Sequence, residues 1–346
     1  MTEQVDRHGI WILLAVLGAL VAVDVPQLGS DPWPFRPPAV HPHGLLGPIV
    51  RAAHERWDLG VIRTPGMLAG LLLAAVAVAA WRVPSWRRSV AVALCTVVVG
   101  LLLVPAVLLQ VGLRDATAPW FHTNDSTYQI ELAGDLVLHG HDPYGHDYTG
   151  SGLERFYSRD GTAPPLSGHR EVALRHFAYF PGTALTAAVW RALPSPLDDY
   201  RLFVLLATLG SLFAALLVRA PLVWRLAAGA AIAANPLSVR GTWFGTADAP
   251  SLLCLVLAVA FVTRRRPVAA ASALAASVLL KQFALVAVPF VALMLIMQET
   301  PRPLLKRAAA TFGLIVAAGF LPFLVAGPGA LWQDTIAYGA GTYRIV

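Results

Sequence analysis

Long apolar runs dominate the chain, separated by short polar links that repeatedly contain Arg. A helix crossing the hydrocarbon core of a bilayer, about 30 Å thick, needs about 20 mostly apolar residues. Nine runs approach this pattern: 10–25, 61–80, 90–111, 202–218, 222–235, 249–263, 267–281, 282–298 and 308–326. They are continuous Leu, Ala and Val stretches, without the alternation of a barrel strand. The pattern predicts an all-α polytopic membrane protein with about nine transmembrane helices. The first run follows MTEQVDRHG and lacks a small-residue cleavage site, so it reads as a retained span and not a signal peptide.

One further apolar segment, Phe180–Leu193, has 14 residues and carries Arg191 near its end. As a span it would put the links Arg219–Arg225 and Arg264–Arg266 on opposite sides of the membrane. As an interfacial helix it puts both on one side, together with the Arg-bearing links Trp81–Arg88 and Glu299–Arg307. Basic residues collect in cytoplasmic loops, so the interfacial assignment is expected and the N-terminus is cytoplasmic. The outer face then receives 26–60, 112–201, 236–248, a turn at Lys281 and the C-terminal tail. Two regions are expected: a two-span hairpin, 1–89, with a proline-rich outer loop (PWPFRPPAVHPHG), and a transmembrane core, 90–346, with interfacial helices in its large outer loop 112–201.

Composition narrows the class further. Of 346 residues, 57% are hydrophobic and 13% charged, against about 25% charged in an ordinary soluble domain. With a mean hydropathy of +0.62, a soluble globular, disordered or fibrous chain is excluded. The net charge of +6 does not indicate nucleic acid: Lys281 and Lys306 are the only lysines, and the arginines lie in links where they set topology. Cys95 and Cys254 sit inside apolar runs, so no disulfide framework is expected. Phosphate-loop, CxxC, HExxH and GxSxG motifs do not occur in the sequence.

The polar residues of the outer segments are the candidates for chemistry. His122-Thr-Asn124-Asp125-Ser126-Thr-Tyr128 opens an amphipathic stretch, Ser126–His139. Asn124, Asp125 or Ser126 suits the N-cap, with Gln129 completing a capping box from Ser126; alternatively, Asp125 is a general base at the membrane surface. Asp135, His139, His141, Asp142, His146 and Asp147 are rich in possible ligands, but their spacing fits no tight metal template, and Asp142-Pro-Tyr144-Gly reads as a turn. His169-Arg170 and Arg175-His176-Phe-Ala-Tyr179-Phe-Pro181 suit a lipid phosphate or sugar ring, or an aromatic belt. Asn235-Pro236, Arg240, Trp243 and Asp248 suggest a cavity lining in one outer loop, with Asp248 alternatively an N-cap. Lys281-Gln282 interrupts about 30 apolar residues, where an ammonium needs water or a partner; a phosphate would supply one, and snorkelling to the interface is the simpler role.

The order of these pieces resembles the GT-C superfamily of integral-membrane glycosyltransferases. It is most similar to glycosyltransferase family 87, bacterial enzymes that use polyprenyl-phosphate sugars. The residues carrying the resemblance are Asp125-x-x-Tyr128, Gly140-x-Asp-Pro-Tyr144, Tyr179-Phe-Pro181, Asn235-Pro236, Gly245-Thr-Ala-Asp248 and Lys281, within 90–346. The sequence departs from that pattern in having one proline after Tyr179-Phe180, Gly245-Thr246 in place of Gly-Gln, two additional spans in 1–89, and an end at GAGTYRIV346 where relatives continue with more spans. The resemblance implies an inverting transfer, on the outer face of a bacterial plasma membrane, from a polyprenyl-phosphate monosaccharide to a glycan or glycolipid acceptor. Mannose is a sugar that family often moves, with arabinofuranose and glucose left open. By the resemblance Asp125 is the general base. Lys281, with Arg175, His176 and Arg240, steadies the donor phosphate, and Asn124, Tyr128, Tyr144, Tyr179 and Asp248 line the substrate. No cofactor and no metal are implied. Two other classes cover part of the pattern: a lipid or sugar transporter explains the spans and the lone lysine, and a non-catalytic or truncated membrane protein explains the early end.

Overall fold

The computed structural model describes residues 2–25, 41–53, 60–117, 123–157 and 174–342. Most of the proline-rich stretch, His122 and His169-Arg170 lie outside the described residues. All regular structure among the described residues is helical.

The first helices pack closely. α1 (Thr2–Asp24) lies against α3 (Gly60–Arg82), after a short α2 (Gly47–Ala53). Gly18 and Gly70 set their separation. A Cβ on Gly18 would stand 2.5 Å from the Ala74 amide nitrogen, and one on Gly70 2.5 Å from that of Ala22. Small residues allow such approach where lipid offers no hydrophobic drive between helices. α4 (Arg87–Val97) passes through a π segment, Val98–Leu103, into α5 (Val104–Thr117). Pro105 lies two residues past the end of the π segment and has no amide to bond back along an α-helix, which accounts for the change of register. These helices share one core with α8 (Tyr200–Leu216), α9 (Leu222–Ala234) and α10 (Pro236–Phe244), through buried Trp11, Leu73, Leu94, Leu102, Ala230 and Trp243.

Among the described residues, three helices are long and apolar enough to cross a membrane: Arg63–Arg82, the composite Pro84–Thr117 and Arg302–Ala326. A fourth arises if α9 and α10 are one broken span, bent by 59°. The bend follows from Asn235-Pro236. Proline cannot continue the hydrogen-bond ladder, and the Asn235 side chain accepts the Leu237 amide at 2.9 Å to start a new helix. The other apolar helices, Gly9–Asp24, Tyr200–Leu216, Asp248–Thr263, Pro267–Leu280 and Gln282–Met297, have 10–17 residues. Each of the nine apolar runs is therefore helical, while three to four reach span length. The loop expected over 236–248 is instead largely α10. Trp243, expected in a cavity lining, is buried and donates its indole N–H to the Leu102 carbonyl at 2.8 Å.

The remaining helices are α11 (Asp248–Thr263), α12 (Pro267–Leu280), α13 (Ala287–Met297), α14 (Arg302–Ala326) and α15 (Pro328–Trp332). The links after α8 and α11 meet: the Arg219 amide donates to Thr263 Oγ1 at 3.3 Å, and Arg264 Nε donates to the Leu217 carbonyl. Both Arg-bearing links thus occupy one end of the bundle. At the other end lie α6 (Asp125–Leu138) and α7 (Pro181–Arg191). They correspond to the amphipathic stretch and the interfacial segment read from the sequence. A Cβ on Gly134 of α6 would stand 2.8 Å from Ala187 Cβ of α7. Thr183 Oγ1 pins the start of α7 to the end of α12 by donating to the Leu280 carbonyl at 2.6 Å.

Candidate functional site

Four separated segments meet near the start of α11 and the end of α12. Asn124 is the N-cap of α6, its side chain accepting the Thr127 amide at 2.9 Å. Asp125 therefore occupies the first helical position and is not the cap; its Oδ1 accepts the Ser126 amide at 2.7 Å. The capping box expected from Ser126 to Gln129 does not form, because Asn124 is the cap and Ser126 lies inside α6 with its amide on Asp125; the Gln129 amide group donates to the His176 carbonyl at 3.0 Å.

Tyr179 stands between Asp125 and the lysine. Burial pushes its phenol well above the ordinary value. The Asp125 carboxylate acts in the same direction, the Ser126 hydroxyl opposes, and Asp248 adds a smaller upward push. The Tyr179 ring lies under Lys281 Nζ, 5.0 Å from centroid to nitrogen, and Phe283 lies at 5.9 Å. Lys281 breaks the helix between α12 and the 3-10 turn Gln282–Val286 with an extended backbone, φ −152° and ψ 125°. Its ammonium sits 3.0 Å from Asp248 Oδ1. Asp248 is the first residue of α11, not its cap, and its Oδ2 accepts from Thr246 Oγ1 at 2.9 Å.

A groove of about 390 Å³ opens below this pair, between α11 and the segment 281–290. Asp248 and Lys281 form its head; Leu252, Leu255, Phe283, Val286 and Phe290 form apolar walls. The break that positions Asp248 depends on Gly245, which ends α10 at φ +77°. A Cβ there would lie 2.5 Å from Arg201 Cγ and 2.9 Å from Thr127 Oγ1. The Thr127 hydroxyl donates to the Phe244 carbonyl, tying this turn to the helix that carries Asp125.

The other sequence candidates lie elsewhere. Arg175 is exposed and faces Asp147, whose carboxyl is held below its ordinary value first by the Thr149 hydroxyl and amide and less by Arg175. Arg240 is exposed on α10 and does not line the groove. Tyr128 is buried and donates its hydroxyl to the Ser151 carbonyl at 2.9 Å. Tyr144 is buried and donates to the Tyr179 carbonyl at 2.8 Å, with its ring edge-on to Phe323; burial pushes its phenol well up. Both tyrosines support the site from behind. The ligand-rich stretch is spent locally: Asp135 pairs with Arg191 at 2.9 Å, His139 Nδ1 bonds the Asp135 carbonyl at 2.7 Å, and Asp142 accepts the Tyr144 amide at 3.0 Å. Among the described residues no group of three or more His, Cys, Asp or Glu side chains is arranged to hold a metal.

His176 belongs to a second assembly that the sequence did not reveal. Asp334, 1% exposed, takes His176 Nδ1 at 2.6 Å, the Gly145 amide at 2.8 Å and the Phe177 amide at 3.2 Å. His176 also stacks on Tyr338 at 5.2 Å. One buried carboxylate thus fixes the segment that presents Tyr179. A third assembly lies beneath α6. Arg114 grips Glu131 at 2.6 and 2.9 Å and reaches Asp199 at 3.1 Å, while Arg201 holds Asp199 at 2.6 and 2.9 Å. Burial raises the Asp199 carboxyl, but the two guanidinium groups overcome it and hold the group well below the carboxylate range. Arg114, Glu131 and Asp199 border a cavity of about 230 Å³ with Asp115, Asp198 and Arg191. The available signal for this network was Glu131, a charge placed among the apolar positions of an amphipathic helix.

Compared with protein-family models, curated proteins and solved structures, the chain matches none.

Proposed function

We propose that this protein is an integral-membrane hexosyltransferase of GT-C type. In this reading it moves a sugar, mannose by family analogy, from a polyprenyl-phosphate donor to a glycan or glycolipid acceptor on the outer face of a bacterial plasma membrane. The chain is read as multi-pass with about nine spans and a cytoplasmic N-terminus. The shorter apolar helices, of 14 to 17 residues, support the further spans, since at 1.5 Å per residue they reach roughly 21–25 Å. The shared end of the two Arg-bearing links supports the orientation. The partners are the bilayer, the lipid-linked donor and the acceptor; no nucleic acid is involved.

The observation that carries the proposal is Lys281 at the head of an apolar groove, with the Tyr179 ring under its ammonium and the Asp125 carboxylate acting on the Tyr179 phenol. A lipid phosphate needs such a combination: a cation for the headgroup, apolar walls for the chain and a base beside the sugar. In the proposed step Asp125 takes the proton of an acceptor hydroxyl. The oxygen attacks the anomeric carbon, and the bond to the phosphate oxygen breaks on the opposite face. The electron pair leaves with the phosphate, and Lys281 stabilises the growing charge. Arg175, His176 and Arg240 do not share that task in this geometry.

Lys281→Met tests the headgroup assignment. Removing the Lys281 cation from the groove is expected to weaken binding of a polyprenyl-phosphate sugar by the purified protein at least about tenfold, since charge-assisted bonds contribute about 1.5–3 kcal/mol. Unchanged affinity would make the lysine an interfacial anchor and remove the basis for the proposal.

A further inference from the structure

The contacts of Asp248 raise a question that the proposed function leaves open. A donor phosphate arriving at Lys281 would meet a carboxylate already at 3.0 Å from the ammonium. Among the described residues lining the groove, Lys281 is the one cation and Asp248 the one anion. The ammonium is also flanked by the Tyr179 and Phe283 rings. A phosphate added to the intact pair would bring two anions onto one lysine beside apolar walls, which is costly. The pair is also cheap to open. Asp248 is 59% exposed, against 16% for Lys281, and exposed ion pairs contribute little. Its other oxygen stays anchored to the Thr246 hydroxyl at 2.9 Å, so a released carboxylate remains beside the site.

We infer that Asp248 is an exchangeable stand-in for the lipid phosphate on Lys281: the ammonium passes from carboxylate to phosphate as lipid binds, and back as the spent lipid leaves. This inference rests on the proposed function. It adds a role in release. The donor is a phosphodiester with one negative charge, whereas the product is a monoester carrying about −1.5 to −2 at pH 7. Lys281 alone would hold the product more tightly than the donor. A carboxylate waiting within reach of the same ammonium counters that and favours turnover.

The test is binding of farnesyl phosphate, a short polyprenyl monophosphate, and of its methyl diester to the purified full chain in detergent. Asp248→Asn is expected to tighten the monoester about three- to tenfold and the diester less, because the competing charge is gone while the shape is kept. Asp248→Glu, which restores the charge, should bind near the parent level. Thr246→Val keeps the carboxylate but removes its anchor, and should shift affinity in the same direction as Asp248→Asn, by a smaller factor. It serves where Asp248→Asn does not fold. In a Lys281→Met background the gain should vanish. Equal or weaker monoester binding by Asp248→Asn, or weaker binding by Thr246→Val, would mean that Asp248 orients the lysine for phosphate, and would overturn the exchange. Failure of the underlying reading looks different: the parent and Lys281→Met would then bind the monoester equally, and both proposals would fall together. If Lys281→Met weakens binding but Asp248→Asn does not tighten it, the exchange alone falls.

Discussion

At the start of α6 two adjacent polar residues divide the work. Asn124 takes the Thr127 amide and so caps the helix, while Asp125 accepts its neighbour's amide and acts on the Tyr179 phenol. Asn124→Ala is expected to cost about 1 kcal/mol of stability, the usual loss for an N-cap. Asp125→Asn should cost clearly less, since an amide oxygen can still accept the Ser126 amide. Thermal unfolding of both variants in detergent checks this; equal losses would make Asp125 a structural residue. The sequence singled out Asp125 and Lys281 because each is polar where the surrounding pattern is apolar or interfacial. It could not divide capping between Asn124, Asp125 and Ser126, which differ only in backbone geometry. Asp334 escaped notice for another reason: it follows the apolar helix α14 in what reads as a polar tail, and its partners Gly145, His176 and Phe177 become neighbours only through tertiary contact.

At the scale of elements, the site depends on breaks in helices more than on the helices themselves. Lys281 ends α12, Gly245 ends α10, and Pro181 starts α7. Gly245 is the most constrained, because its φ of +77° and the nearness of Arg201 and Thr127 each exclude a side chain. Gly245→Ala is expected to lose about 2–3 kcal/mol of stability, combining backbone strain with displacement of those neighbours. Gly140 gives the comparison, having φ +78° and nothing within 4 Å of a Cβ. Gly140→Ala should lose about 1 kcal/mol, from strain alone. Chemical denaturation of the two variants checks the difference; equal losses would show that the Gly245 turn is not packed against α6 as described. The helices themselves were legible, since apolar runs and amphipathic periodicity mark them directly. The 59° break at Asn235-Pro236 was only half legible: the proline was visible, but a loop was expected where a second helix forms.

For the whole molecule, the arrangement is polarised. One end carries the Arg-bearing links after α8 and α11; the other carries α6, α7, the Lys281–Asp248 pair and the buried carboxylates Glu131, Asp199 and Asp334. Through the distribution of arginine the sequence predicts the Arg-bearing links on one side, a signal that depends on counting and not on contacts; the links after α8 and α11 do meet. The sequence could not foresee that 1–89 would share a core with the following helices, because the glycine contacts of α1 with α3 and the burial of Trp243 are set by shape. Polarity of this kind suits chemistry at one membrane face, with the lipid tail in the groove beside α11 and the reacting groups above it. The deciding measurement is sugar transfer from a polyprenyl-phosphate donor by purified parent and Asp125→Asn in liposomes. The proposal predicts turnover by the parent and a loss of about 10²–10⁴ in rate in the variant, with donor binding retained, because an amide cannot take the acceptor proton. Equal turnover by the two proteins, or no transfer by the parent from any polyprenyl-phosphate sugar, would contradict it.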